Sequence, residues 1–150
     1  MTAATPEIRP LTADDFELWQ TLWHDYLHFY NTDLPADTTV ATWRKILDTD
    51  SPIHGFGAWQ AGRLVGIVHT VLHPNTWNTT DCCYLEDLFV SETLRGQGIG
   101  RALISHVYDF AAQKNCNRVY WTTQEHNTPA RALYDTLATT TDMVQYRKDV

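Results

Sequence analysis

Two neighbouring carboxylates, Glu86 and Asp87, stand inside the apolar run Tyr84-Leu85-Glu86-Asp87-Leu88-Phe89-Val90. A carboxylate on a mostly apolar central strand is costly to bury, and burial raises its pKa toward the range of a general base. Glu86 is read as that base, acting directly or through water, with Asp87 behind it. The plainer reading is a carboxylate paired with Arg or Lys, or one exposed at the strand end. Next comes Arg95-Gly96-Gln97-Gly98-Ile99-Gly100-Arg101, with glycines at every second position before a helix start. Glycines let the backbone bend and approach a ligand, and the first N–H groups of the helix, at about Gly98 to Arg101, have no intrahelical partner. That is an anion cradle, and a phosphate fits it.

Other chemistry-bearing residues point less far. His24 and His28 lie one helical turn apart with Asp25 beside them, the spacing of a metal pair, but no third or fourth ligand suggests itself. They are read as solvated histidines, and no metal is expected. Cys82, Cys83 and Cys116 cannot all pair, and adjacent Cys82-Cys83 suits a reducing compartment better than a disulfide framework.

The elements that must position these residues follow from periodicity. Ile8 to Leu11 reads as an edge strand, and Thr12 to Asp15 as a helix start. Phe16, Trp19, Leu22, Trp23, Tyr26, Leu27 and Tyr30 recur at spacings of three and four, predicting a helix to about Asn31 with an aromatic inner face. Asp37-Thr38-Thr39 caps a second helix that turns Val40, Trp43, Ile46 and Leu47 inward. Gly55 to Trp59 and Leu64 to Leu72 form a hairpin around Gln60 to Arg63, and a polar loop from Pro74 to Asp81 leads into the carboxylate strand. After the glycine turn a helix runs to about Asn115, then a strand over Arg118 to Thr123. Strand, crossover helix and strand make a right-handed parallel unit, so the two strands lie side by side. Asn127 or Thr128 caps a last helix with Pro129 in its first turn, and Met143 to Arg147 reads as a final strand.

At 150 residues the chain is one domain by length. Hydrophobic residues at 43%, charged residues at 19% and 6 Trp describe a soluble protein with a dense core or an aromatic-lined pocket. Met1 to Glu7 has neither a basic nor an apolar leader region, and no segment approaches a membrane span, so a cytoplasmic protein without membrane association is expected. A net charge of -7 argues against a nucleic-acid groove and favours cationic small molecules.

Flanking residues narrow the anion. A P-loop needs Gly-Lys-Ser or Gly-Lys-Thr, whereas Gly100 precedes Arg101-Ala102. A dinucleotide fingerprint opens a first βα unit and has an acid ending the next strand, but this turn lies two thirds along and the next strand runs into Thr122-Thr123-Gln124. A pyrophosphate held across Arg95 to Arg101, with the rest of the ligand between the parallel strands, remains. Here Glu86 to Val90, Arg95 to Gly100 and Asn127-Thr128-Pro129-Ala130-Arg131-Ala132-Leu133-Tyr134 resemble the two signature segments of the GCN5-related N-acetyltransferases. The likeness is strongest to the small enzymes that acetylate polyamines, histone tails or D-amino acids.

The resemblance implies an α/β (α+β) fold: a single domain over residues 1–150, with a mixed sheet of about six strands, about four helices and a central parallel pair at the cofactor slot. It implies acetyl-CoA as cofactor. Backbone groups of Leu88, Phe89 and Val90 would pair with the pantetheine arm, and Arg95, Gly96, Gln97, Gly98, Ile99, Gly100 and Arg101 would hold the pyrophosphate. Asn127 and Tyr134 would face the cofactor's thiol end, and Ala130 would also contact the cofactor. A bulge near Phe89 would splay the strands. Transfer goes straight to the amine, without an acetyl-enzyme. Tyr134 matches the family's tyrosine and has a phenolic proton to give, making it the candidate acid rather than a core tyrosine.

The acceptor is expected between the first two helices and the Pro74 to Asp81 loop, where Tyr26, Tyr30, Asp33 and Trp77, with Glu86, suit a primary amine: a polyamine, an amino acid or a lysine side chain in a basic peptide. A non-catalytic acyl-CoA-binding domain is the competing class. Many members of the family it resembles carry two closing strands after the tyrosine helix, and this chain has residues for about one, so a homodimer whose C-terminal strands complete or extend a sheet is expected.

Overall fold

A computed structural model describes residues 5–150; Met1 to Ala4, read above as carrying no leader, lie outside the described residues. Strand β1 (Glu7–Pro10) is followed by a short helical turn and helix α1 (Phe16–Phe29), then α2 (Ala36–Leu47). Strands β2 (Ile53–Gln60), β3 (Arg63–His73) and β4 (Cys82–Val90) come next. Helix α3 (Ile99–Gln113), β5 (Arg118–Tyr120) and α4 (Thr128–Tyr134) complete the order. The strands lie in chain order in one sheet, antiparallel except for the parallel pair β4–β5.

Each helix turns its apolar stripe to one face of this sheet. Trp19, Leu22, Trp23 and Leu27 of α1 join Trp43 and Ile46 of α2 over Trp59, Leu64, Ile67 and Phe89. On the other face Ile99, Leu103, Ile104, Val107 and Ala111 of α3 pack on Phe56, Ala58, Val68, Cys83 and Leu85, with Leu133 and Tyr134 of α4 beside them. The tryptophans are core: Trp19 and Trp43 centroids lie 4.8 Å apart and Trp19 stacks on Trp23 at 5.7 Å.

Three expectations need correction. Among the described residues the sheet has five strands, not about six, because Met143 to Arg147 forms no strand and lies exposed. Strand β5 ends at Tyr120, short of Thr123. The bulge lies at Glu86, not near Phe89: His69 pairs with Asp87 and Thr70 with Leu85, leaving Glu86 as the extra residue.

Candidate active site

The bulge decides where the two carboxylates point. Strand residues alternate faces, and Leu85 is buried against α3. One unpaired residue resets the alternation, so Asp87 fronts the α1 side, and Glu86 comes within electrostatic range of Lys45 on α2 and His69 on β3. Asp87 is held there from two elements. The Tyr26 hydroxyl donates to its Oδ1 at 2.6 Å, and His69 Nδ1 meets Oδ2 at 2.9 Å. The Trp19 indole in turn donates to His69 Nε2 at 2.9 Å.

Glu86 keeps much of its side chain open to solvent. Its carboxyl is nonetheless raised from the ordinary range, first by partial burial and next by the charge of Asp87, with the Lys45 ammonium opposing them. Burial and the same Asp87 charge also raise the Tyr26 phenol, which stays a donor. Tyr30 meets Tyr26 edge-on at 5.1 Å, and burial with the Asp87 charge raises its phenol too. Tyr134, half-buried on α4, sits edge-on to Trp121 at 5.4 Å; burial raises its phenol, with Tyr30 as the second cause. The Tyr26 hydroxyl thus ties α1 to the carboxylate strand, with Tyr30 edge-on to Tyr26 and the Tyr134 phenol of α4 within electrostatic range of Tyr30.

Beside it the sheet opens. The pairing of β4 with β5 covers only Cys82 to Tyr84, yet β4 continues to Val90. Among the described residues no backbone bond crosses from the segment after Tyr120 to Leu88, Phe89 or Val90, so that strand edge is free for an extended ligand. At its end Gly96 (φ 80°) and Gly98 (φ 85°) adopt the left-handed backbone that a side chain disfavours. Gly98 caps α3, no side chain caps the helix, and no acid stands in its first turn. The N–H groups of Ile99, Gly100 and Arg101 therefore face outward for an anion.

Two cations flank this turn without pointing as simply as the spacing suggested. Arg95 Nε donates to the Val90 carbonyl at 3.3 Å, and its guanidinium lies 5.2 Å from the Phe29 ring and 5.3 Å from Phe89. Arg101 donates to Thr136 Oγ1 at 2.8 Å. Gln97 is exposed in the turn, and Asn127, capping α4, donates to Thr123 Oγ1 at 3.3 Å with Ala130 one turn on.

The sequence profile of the Acetyltransferase (GNAT) family matches residues 14–138. The chain belongs to that family. As a GNAT protein it is an N-acetyltransferase that takes its acetyl group from acetyl-CoA. It is 31% identical over 144 residues to the D-amino-acid N-acetyltransferase HPA3 of Saccharomyces cerevisiae, covering 95% of this chain and 89% of that one. It is 27% identical over 131 residues to the thialysine N-epsilon-acetyltransferase of Caenorhabditis elegans, covering 87% and 81%. Among solved structures it shares the fold of the aminoglycoside acetyltransferase AAC(6')-Iy bound to a CoA bisubstrate analogue, with TM-score 0.83, 23% identity, and 98% of this chain and 100% of that one covered.

The donor set fits acetyl-CoA: a free strand edge for an amide-bearing arm, then a glycine-lined helix start for a pyrophosphate. Of the acceptor residues read from the sequence, Tyr26 and Tyr30 join the carboxylates. Asp33 lies exposed between α1 and α2, and Trp77 is 90% exposed on the β3–β4 loop; no hydrogen bond or ring contact joins either to that group among the described residues. The sequence reading missed His69 and Trp19. The available signal was a histidine in the apolar run of β3, spaced by two from Ile67 and so on the same face.

Proposed function

We propose that residues 1–150 act as one domain that moves an acetyl group directly from acetyl-CoA to the primary amine of a small acceptor within a ternary complex. Bound acetyl-CoA would supply the activated acetyl thioester. The amine nitrogen bonds to the acetyl carbon as the carbon–sulfur bond breaks. Glu86 takes the proton the amine must lose, and Tyr134 gives one to the departing sulfur, so charge balances at both ends. A backbone N–H at Phe89 or Val90 polarises the carbonyl. Leu88, Phe89 and Val90 would pair with the pantetheine arm, the Arg95 to Arg101 turn would hold the pyrophosphate, Asn127 would face the thiol end, and Ala130 would lie against the cofactor.

The observation that carries this reading is the bulge at Glu86, which sets a carboxylate of raised pKa beside a free strand edge with phenols of α1 and α4 nearby. Amino acids lead the candidate acceptors, since two relatives that span most of the chain are named for acetylating D-amino acids and thialysine. Polyamines and lysine side chains stay in the panel, with Tyr26, Tyr30, Asp33 and Trp77 as acceptor contacts. The test is release of free thiol from acetyl-CoA with D- and L-amino acids, thialysine, spermidine and a lysine peptide. Acetylation of an amino acid supports the reading. Binding of acetyl-CoA without thiol release from any amine would leave a binding domain instead.

Two further readings belong with it. The chain works as a homodimer in which residues 143–147 extend a sheet, an idea supported by their exposure (Met143 83%, Val144 75%, Tyr146 91%) and by the short edge strand β5. Three free thiols support a cytoplasmic location.

A further inference from the structure

The line Trp19–His69–Asp87–Tyr26 exceeds what packing needs. Trp19 is fully buried and His69 is 2% exposed, in surroundings where a polar ring is costly unless both nitrogens are bonded. Both are. The indole has only a donor, so His69 Nε2 must accept, and the ring proton sits on Nδ1, which donates to Asp87. With Tyr26 donating to the other oxygen, both Asp87 oxygens accept, which is the carboxylate form. A buried polar line of this kind is weak evidence of a role in stability alone.

We propose that His69 is a positioning residue for acetyl transfer: with its tautomer set by Trp19, it fixes Asp87 in place as a carboxylate, and Asp87 is the standing negative charge beside which Glu86 takes the acceptor's proton. This rests on the reading of Glu86 as base. The groups facing the pair are known from each element packed on it: Tyr26 on α1 and Tyr30 just beyond its end, Lys45 on α2 and His69 on β3. A negative neighbour makes Glu86 a stronger base, and Lys45 opposes it. Adjacent carboxylates are thereby given separate tasks, one anchored and one free to move a proton.

The experiment is the pH dependence of kcat with one amine, whose own ionisation is common to every variant. His69→Leu leaves Asp87 short of a donor: the acid limb moves up by about one pH unit, and at pH values on that limb kcat falls roughly tenfold. His69→Asn, whose side-chain amide keeps a donor toward Asp87, leaves the limb in place even where folding is weakened. Asp87→Asn moves the limb down, and adding His69→Leu to it produces no further shift.

A fall in kcat by one factor at every pH in both His69 variants would overturn the proposal, as would an equal shift with and without Asp87. NMR of the imidazole nitrogens in the unaltered enzyme at neutral pH finds the proton on Nδ1; a proton on Nε2 contradicts it without any variant. An acid limb intact in Glu86→Gln sinks the base assignment and this proposal together. A limb abolished in Glu86→Gln but unmoved in His69→Leu sinks this proposal alone.

Discussion

Glu86 and Asp87 are adjacent in the chain and differ in what holds them. Asp87 has two donors within 2.9 Å, while Glu86 is open to solvent with its carboxyl raised. The proposed acid, Tyr134, has the opposite requirement, a phenol that keeps its proton, and burial raises its pKa. Tyr134→Phe should lower kcat by about a hundredfold, with little change in the KM for acetyl-CoA, and should remove any alkaline limb above the ordinary phenol range. Steady-state kinetics across pH checks this; unchanged turnover at every pH would remove Tyr134 from the chemistry. Gly98→Ala meets no neighbour but must hold φ near 85°, where a Cβ is strained by roughly 1 kcal/mol. It should raise the KM for acetyl-CoA several-fold with kcat little changed. The carboxylates and the glycine turn were legible in the sequence because their residue types announce them. His69 was not, because its role depends on register with Asp87 across a bulge, and register between strands has no local sequence signature.

At the scale of elements, the entry to α1 is tied to β1 by Arg9, whose guanidinium donates to both oxygens of Asp15 at 2.9 and 3.1 Å and lies 3.6 Å over the Trp59 ring. The Arg9 hydrogen bonds lead in holding the Asp15 carboxyl below its ordinary range, against its burial, with the Thr12 N–H assisting. A lowered folded-state pKa gives stability that is full above the ordinary carboxylate range and is lost as pH falls from there through the lowered folded-state value. Arg9 is over a third exposed, so solvent screening limits the pair to roughly 1 kcal/mol. Asp15→Asn should lower Tm at neutral pH and progressively less in acid, read by thermal melts across pH; an equal loss at all pH values would refute the assignment.

The β2–β3 hairpin closes on Ala61 and Gly62, both at positive φ (49° and 75°). That turn type favours Asn at its first position, so Ala61→Asn should stabilise the fold by about 0.5 kcal/mol in denaturant unfolding. The hairpin, all four α-helices and the parallel pair were readable from periodicity and turn residues. The strand expected over Met143 to Arg147 does not form, since its alternation provides a face but no neighbour to pair with, and β5 is three residues long.

Over the whole molecule, two helices cover one face of a single sheet and two the other, and the site forms where β4 outruns β5 at the head of α3. That geometry needs no partner chain for the cofactor slot, whereas the exposed apolar residues at 143–146 are unexplained by the single chain. Light scattering at micromolar concentration should give twice the chain mass, and removal of residues 143–150 should return a monomer. A monomer before truncation would count against the exchanged strand. Amine choice was the least legible property, because several acceptors present the same ammonium to the same acids and aromatics. The central claim is direct transfer with Glu86 as base, and it is tested most directly by acetyl-CoA thiol release across the amine panel by the unaltered chain and by Glu86→Gln. The account predicts release with an amino acid that falls at least a hundredfold in Glu86→Gln while acetyl-CoA binding persists. Equal release by both proteins, or none by the unaltered chain with any amine, would contradict it.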